Sequence, residues 1–208
     1  MKVLLIANGI ISDYTLTLEK VAGFDYSIAC DGGLRHGLQM GIKIDCLLGD
    51  FDSITEEERL LFSGKTIAYP SAKEETDLAL SVRHALGMGT AEIKIIGALG
   101  GRMDHALANI HALVLAKEAG IPAEILDERT SVMLCADTLT VEKNGYDFIS
   151  LVPLTSEVKG ITTQGLLYPL YGETLAVGTS RGISNCFLGE EATVSVSEGV
   201  LIIIRSKE

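Results

Sequence analysis

Short apolar runs alternate with amphipathic stretches over the first 127 residues. Runs with the length and composition of strands are Val3–Ala7, Tyr26–Cys30, Cys46–Leu48, Thr66–Tyr69, Ile93–Ile96 and Ala123–Leu126. Apolar side chains at helical spacing predict helices over about Leu78–Leu86 and His105–Ala119. Alternation of strands and helices predicts a mainly parallel sheet covered by helices on both faces.

Two of the predicted helices have local signals of their own. Around the later helix, Met103, Leu107, Ile110 and Val114 follow one another by 4, 3 and 4 residues, the spacing of an amphipathic helix. Between the third and fourth strands, "SITEEERLLF" contains two overlapping capping boxes, Ser53…Glu56 and Thr55…Glu58. Either box would start a short helix.

From about residue 131 the helical periodicity disappears. Short strand-like runs separated by Gly, Asn and Glu clusters are Thr138–Val141, Phe148–Val152, Gly160–Gly165, Thr174–Val177, Ala192–Val196 and Val200–Ile204. Such a series is typical of a small antiparallel sandwich or barrel. We therefore predict an α/β domain over residues 1–129 and an all-β sandwich domain over 130–208.

Composition and charge narrow the possible partners. The 208 residues are 47% apolar and have 28 acidic against 17 basic side chains, a formal net charge of −11. Such a surface repels nucleic acid and anionic membranes, tolerates a cationic ligand, and would need metal ions to bind a polyphosphate. No apolar run is long enough to span a membrane, and the first run is too short for a signal peptide, so we expect a cytoplasmic protein.

The cysteines give no sign of a metal or redox pair. Cys30, Cys46, Cys135 and Cys186 are separated by 16, 89 and 51 residues, and none of them forms a C-x-x-C motif. Buried free thiols are the expected state.

Polar or small residues follow four of the predicted parallel strands. These clusters are Asn8-Gly9, Asp31-Gly32-Gly33, the segment 49–52 and the segment 97–102. The carboxyl ends of strands line the ligand crevice in open parallel sheets. The four clusters should therefore meet in space.

The segment "LGDFDSI" places two carboxylates, Asp50 and Asp52, with one residue between them. If the chain stays extended, both project to one side, about 6–7 Å apart. Mg²⁺ between them would remove their repulsion and leave positions for phosphate oxygens. The alternative is a turn in which Asp50 caps the following helix and Asp52 is solvated.

Two further segments contain residues suited to phosphate. In "KEETD", Lys73 could contact phosphate, and Asp77 could be a metal ligand or a favourable charge in the first helical turn. In "GALGGRMDHALAN", the glycines allow backbone N–H groups to approach a ligand, and Arg102 offers a planar fork. Asp104 could instead be a helix cap, and His105 a buried structural imidazole.

Five segments in this order resemble the thiamine pyrophosphokinase family. They are "CDGGLRHGLQMGIKIDCLLGDFDSI", "KEETDLALSV", "IIGALGGRMDHALANI", "GLLYPL" and "GISN". Each segment is a weak signal alone, but the ordered set is specific and covers nearly the whole chain. The resemblance implies an N-terminal α/β catalytic, nucleotide-binding domain and a C-terminal β-sandwich for thiamine binding and dimerisation.

The resemblance also implies a reaction and its partners. ATP and thiamine would give thiamine diphosphate and AMP with Mg²⁺, in a homodimer whose composite active sites lie between subunits. Metal ligands would be Asp50, Asp52 and Asp77, and the catalytic set would add Arg102 and Asp104. Binding residues for nucleotide, transferred group and thiamine would be Asn8, Asp31, Gly32, Gly33, Lys73, Thr76, Gly101, His105, Tyr168, Ser184 and Asn185.

Several alternatives stay open at this point. Tyr168 stands where animal members of the family have a tryptophan, and it either stacks on thiamine or belongs to the core. Asp77 or Asp104 could accept the hydroxyl proton of thiamine. The protein could also be a catalytically silent nucleotide or thiamine sensor, or a Mg²⁺-dependent phosphotransferase for another alcohol.

Overall fold

The computed structural model describes residues 1–208 and divides into a first unit, Met1–Glu128, and a second unit, Arg129–Glu208. Neither unit contains a helix with the length and apolar character needed to cross a membrane. The predicted fold class, an α/β part followed by an all-β part, is confirmed.

The first unit alternates strands and helices as predicted. Its elements are β1 (Lys2–Ile6), α1 (Tyr14–Lys20), β2 (Tyr26–Cys30), α2 (Gly33–Gln39), β3 (Cys46–Gly49), α3 (Glu56–Leu61), β4 (Lys65–Ala68), α4 (Asp77–Gly87), β5 (Glu92–Ile96), α5 (Met103–Glu118) and β6 (Ala123–Leu126). All six strands are parallel, in the order β4-β3-β2-β1-β5-β6. The chain order reverses between β1 and β5, which makes their carboxyl ends the expected ligand crevice.

The core of the first unit consists of strands that are apolar on both faces. Leu4, Ala29 and Leu47 on one face are almost fully buried, and so are their chain neighbours Leu5, Ile28 and Leu48 on the other, as in a parallel sheet with helices on both sides. The strands therefore form the buried centre of the unit, and the polar residues that follow their carboxyl ends lie at one edge of it.

Local capping decides where the helices that flank the site begin. Of the two predicted capping boxes, the structure forms Thr55 with Glu58, so α3 starts after Thr55 and Ser53 is not its cap. Thr76 caps α4 by accepting a hydrogen bond from the backbone N–H of Ala79.

Helix α5 exists as predicted, but the apolar stripe that predicted it is not its buried face. Met103 and Leu107 are 72% and 53% exposed, whereas the buried side chains are Ala106, Asn109, Ala112, Leu113 and Ala116. Small side chains allow the helix to pack closely, and helical spacing does not distinguish that face from the larger apolar one.

The second unit is an antiparallel sandwich. Its strands are β7 (Thr130–Cys135), β8 (Thr138–Glu142), β9 (Phe148–Pro153), β10 (Glu157–Gln164), β11 (Tyr171–Ala176), β12 (Asn185–Cys186), β13 (Glu191–Ser195) and β14 (Leu201–Ser206). One layer has the order β12-β9-β14-β7 and the other β11-β10-β13-β8. Leu151 and Ile203 from one layer and Val158 and Val194 from the other share a core. The sequence patterns missed β7 and β12.

Candidate active site

A cleft of about 620 Å³ lies at the carboxyl ends of the parallel strands. It is lined by residues that follow β1, β2, β3 and β5, together with the first turns of α4 and α5. The clusters predicted to meet do so here, because parallel strands deliver their carboxyl ends to one edge.

The floor of the cleft is formed by closely packed backbone. The N–H of Gly9 donates to the carbonyl of Gly97 at 2.7 Å, and a Cβ at Gly9 would lie 2.5 Å from that oxygen. A Cβ on Gly33 would lie 1.9 Å from the carbonyl oxygen of Ile6. Glycine at these positions therefore has a packing reason, whatever ligand contact the backbone also makes.

Three carboxylates converge at the inner end of the cleft. Asp31, Asp50 and Asp77 each contribute an oxygen, and these oxygens lie within 4.8 Å of one another. Asp31 is 8% exposed, and its Oδ1 is buried with no hydrogen-bond partner. Asp77 Oδ1 is also buried without a hydrogen bond of good geometry, although Lys73 Nζ forms an ion pair with it.

One ammonium group faces this cluster. Lys73 Nζ lies 3.1 Å from Asp50 Oδ2 and 2.9 Å from Asp77 Oδ1, and its side chain is 13% exposed. A single positive charge against three carboxylates leaves the cluster negative, and an orphaned oxygen of Asp31 remains. Hard oxygen donors in this number suit Mg²⁺, so the residues fit a divalent cation.

The charges in the cluster shift one another's protonation. The hydrogen bond from Lys73 lowers the pKa of Asp50, whereas burial raises the pKa of Asp77 despite the same lysine. Burial opposes the charge on Lys73, but its ion pair with Asp77 and its hydrogen bond to Asp50 together outweigh that effect and raise its pKa. The two carboxylates respond oppositely because Asp50 also accepts the N–H of Asp52, whereas Asp77 also faces the negative charges of Asp50 and Asp31.

Asp52 is not one of the three converging carboxylates, although its side chain interacts with that of Asp50. The expected extended chain is broken at Phe51, which has a left-handed φ of 65°, so positions 50 and 52 do not project as neighbours on a strand. Asp52 is exposed at the rim of the cleft, and its N–H donates to Asp50 Oδ1 at 3.3 Å. The negative charge of Asp50 raises the pKa of Asp52. The metal role predicted for Asp52 stays a prediction.

Ser53 is a polar contact that sequence reasoning missed. Its Oγ accepts hydrogen bonds from Asn8 Nδ2 at 3.3 Å and from the Gly32 N–H at 3.2 Å, and it contacts Asp31 Oδ2. The hydroxyl thus connects the ends of β1, β2 and β3. Its position directly after the D-x-D pair was the available signal, but a helix-capping role explained the serine equally well.

Two other side chains that sequence reasoning missed support the backbone of the cleft. Asn109 on α5 donates to the carbonyl of Ala98 at 2.9 Å. His36 on α2 donates from Nε2 to the carbonyl of Gly9 at 2.7 Å, so its Nδ1 accepts from the hydroxyl of Tyr14 at 2.8 Å. Burial lowers the pKa of His36, which favours this neutral form. Both residues lie within segments that carry the family resemblance, but neither was among the candidate site residues.

The start of α5 forms an exposed wall of the cleft. Gly101, Arg102 and His105 line it, and Arg102 forms an ion pair with Asp104 at 2.5 Å. That hydrogen bond lowers the pKa of Asp104 to about 2. Asp104 also accepts from the His105 N–H at 3.0 Å. Asn8 and Thr76 line the same cleft.

The residues predicted to bind thiamine lie in the second unit. Asn185 is 7% exposed, donates from Nδ2 to the Tyr168 carbonyl at 2.7 Å, and accepts from the Tyr168 N–H at 3.0 Å. The Tyr168 side chain is itself exposed, so it is not a core tyrosine. Ser184 has a left-handed φ of 56°, and its N–H donates to Ser150 Oγ at 3.0 Å.

Comparisons with known proteins match both units. Residues 19–125 match the sequence model described as "Thiamin pyrophosphokinase, catalytic domain", and residues 137–201 match "Thiamin pyrophosphokinase, vitamin B1 binding domain". The chain is 33% identical over 186 residues to thiamine pyrophosphokinase of Bacillus subtilis, covering 87% of each sequence.

Solved structures agree with this match. The crystal structure of thiamine pyrophosphokinase from Bacillus subtilis superposes with a TM-score of 0.90 at 29% identity, covering 100% of both chains. The structure of thiamin pyrophosphokinase from Geobacillus thermodenitrificans gives a TM-score of 0.87 at 28% identity, covering 100% of this chain and 98% of the other.

Proposed function

This chain belongs to the thiamine pyrophosphokinase family, and we propose that it transfers the pyrophosphoryl group of ATP to the hydroxyl of thiamine in the cleft of the first unit. The products are thiamine diphosphate and AMP. Family membership makes the chain an enzyme, a transferase of the kinase type. The observation that carries the choice of site is the convergence of Asp31, Asp50 and Asp77 beside Lys73.

Mg²⁺ is the proposed metal, held by Asp31, Asp50 and Asp77. The oxygen-only donor set and the unpartnered Oδ1 of Asp31 support this assignment. When bound, the ion would supply positive charge that offsets the acidic cleft and stabilises negative charge on the triphosphate. Asp52, at the rim of the cleft, is proposed to bind metal from outside this cluster.

The other residues of the cleft bind and orient the phosphates. Phosphoryl transfer depends mainly on positioning and on neutralising charge on the phosphate oxygens. Lys73 supplies a point charge at the inner end, and Arg102 supplies a planar fork at the outer wall. Backbone N–H groups around Gly9 and Gly101 are proposed as further hydrogen-bond donors to the phosphates.

The hydroxyl proton of thiamine has two candidate acceptors, and their surroundings differ. Arg102 engages both oxygens of Asp104, at 3.1 and 2.5 Å, and holds its pKa at about 2. A carboxylate stabilised in this way is a weak base. Burial raises the pKa of Asp77 in spite of its ion pair with Lys73, so Asp77 is the stronger base, and we propose that it accepts the proton on the oxygen that does not hold the cation.

Thiamine binding is proposed to involve Tyr168, Ser184 and Asn185, in a homodimer with composite active sites. An exposed aromatic ring on a backbone fixed by Asn185 supports the role of Tyr168. Sedimentation gives the oligomeric state. Mixing an Asp50→Asn chain with an Asn185→Ala chain should restore part of the activity if each site takes residues from two subunits. Two inactive variants that stay inactive when mixed would contradict composite sites.

A cytoplasmic location is proposed for the enzyme. Its cysteines are all free, and three of the four are buried, which is usual for proteins of a reducing compartment.

The decisive experiment is a product assay on purified protein. With Mg²⁺, ATP and thiamine, we expect equal amounts of thiamine diphosphate and AMP, separated by chromatography. Offering other alcohols in the same assay tests selectivity for thiamine. Absence of thiamine diphosphate across several divalent metals would overturn the proposal, and ligand binding without consumption of ATP would indicate a sensor.

A further inference from the structure

The hydrogen-bond partners of Ser53 Oγ determine where its hydroxyl hydrogen points. Asn8 Nδ2 and the Gly32 N–H are both donors, and both point their hydrogens at Ser53 Oγ. Neither group can accept a hydrogen bond in this arrangement, so the hydroxyl hydrogen is left for Asp31 Oδ2. Ser53 is therefore a donor to Asp31 and an acceptor toward the neighbouring strand ends.

This contact uses one oxygen of Asp31 and leaves the other. Asp31 is 8% exposed with a left-handed φ of 47°, and its Oδ1 has no hydrogen-bond partner. Since Oδ2 is held by Ser53, Oδ1 is the oxygen available to a cation shared with Asp50 and Asp77.

The main chain of Ser53 is fixed as well. Arg35 donates from its NH2 group to the carbonyl of Ser53 at 3.3 Å, and its Nε forms an ion pair with Glu58 Oε1 at 2.5 Å. Glu58 in turn accepts from the backbone N–H of Thr55 at 2.9 Å. Arg35 and Glu58 thus hold the backbone of the loop at Ser53 and Thr55. The position from which the Ser53 side chain extends is therefore fixed.

We propose that Ser53 is a positioning residue, which orients Asp31 so that its free oxygen faces the divalent cation. Ser53 acts through Asp31 and does not itself bind the metal. The inference rests on the proposed metal site of Asp31, Asp50 and Asp77. It predicts that the hydroxyl controls the affinity for the cation, which is a property separate from turnover.

The test measures Mn²⁺ affinity from the electron paramagnetic resonance signal of free Mn²⁺, with and without α,β-methylene-ATP. Ser53→Ala should weaken Mn²⁺ binding roughly 10-fold to 100-fold, as for other residues that orient metal ligands. Ser53→Thr, which keeps the hydroxyl, should restore most of the affinity. Ser63→Ala, a serine with an exposed side chain, is the matched control and should bind Mn²⁺ like the wild type.

A double-mutant cycle distinguishes positioning from a general structural role. If Ser53 acts through Asp31, Ser53→Ala should add little to the loss already caused by Asp31→Asn. Additive losses in the double variant, or wild-type affinity in Ser53→Ala, would overturn the inference. So would a wild-type protein that binds no Mn²⁺ in either condition.

Folding and function are checked separately. Circular dichroism and thermal melting establish that each variant is folded. If Ser53→Ala is not folded, Ser53→Cys replaces it, since a thiol has similar volume and donates only weakly; an affinity equal to wild type then refutes the inference. A wild-type protein that binds Mn²⁺ in a Ser53-dependent way but makes no thiamine diphosphate would refute the proposed function alone.

Discussion

The first unit contains two ionic groups built from similar residues in different surroundings. The inner group is Lys73 with Asp50 and Asp77, whose side chains are 13%, 11% and 25% exposed. The outer pair is Arg102 with Asp104, 73% and 63% exposed. The outer pair is the closer one, at 2.5 Å against 2.9 and 3.1 Å.

The distance between the charges therefore does not show which of the two groups has the stronger electrostatic effect. Water screens the outer pair, and exposed ion pairs contribute little to stability however short they are. The inner group is largely removed from water and contains more negative than positive charge, with Asp31 adding to the excess. Adding or removing a charge in such a group changes its free energy strongly. A cation that offsets the excess negative charge therefore binds favourably, and it allows a polyphosphate to bind beside it.

The largest effect is expected from neutralising the inner group. Asp50→Asn removes a charge but keeps the shape, and it should lower kcat about 10²–10³-fold, as for other losses of preorganised electrostatic stabilisation. The thermal midpoint should stay near that of the wild type. Turnover is measured as thiamine diphosphate formed per enzyme. The isosteric control is Glu75→Gln, which neutralises a carboxylate paired with exposed Arg83. Equal losses of kcat in both variants would contradict the special role assigned to the inner group.

A smaller effect is expected from removing the inner cation. Lys73→Met leaves Asp50 and Asp77 facing each other, and should destabilise the protein by about 1–2 kcal/mol, less than for a fully buried pair because some solvent remains. Added Mg²⁺ should stabilise this variant more than the wild type, since it replaces the missing charge.

Urea unfolding with and without Mg²⁺ measures both quantities for Lys73→Met. The control is Lys159→Met, which breaks the exposed pair with Glu198 and should lose little stability. A Lys73→Met protein as stable as the wild type, with no extra response to Mg²⁺, would contradict the picture of an uncompensated inner group.

The smallest effect is expected at the outer pair. Arg102→Gln should leave the thermal midpoint unchanged and raise KM for ATP roughly 3-fold to 10-fold, the range for one charge-assisted hydrogen bond in partial contact with water. Arg102→Lys separates charge from shape, because it keeps the charge and loses the fork. Initial rates over a range of ATP concentrations give KM and kcat. A large drop in kcat with KM unchanged would contradict a role in ATP binding and would show that Arg102 stabilises the transition state.

The sequence was a good guide wherever a local rule applied. Apolar runs located β1 to β6, capping chemistry placed a helix after Thr55, and the ends of parallel strands located the cleft. Asp50, Asp77 and Lys73 were predicted together from segments more than twenty residues apart, and the structure brings them into contact.

Side-chain direction was a poorer prediction. The stripe that identified α5 faces outward at Met103 and Leu107, because helical spacing gives a face but not the element that covers it. Strands β7 and β12 in the second unit were missed, and β12 is only two residues long.

The sequence by itself determined the fold class, the family and the edge of the sheet where the cleft lies, since periodicity and ordered motifs are properties of the chain. Only the tertiary structure decided that Asp31 joins Asp50 and Asp77 while Asp52 lies at the rim. Strand order and the left-handed turn at Phe51 set that outcome. Ser53 likewise became a partner of Asp31 because three strand ends meet there, a coincidence in space that no local pattern encodes.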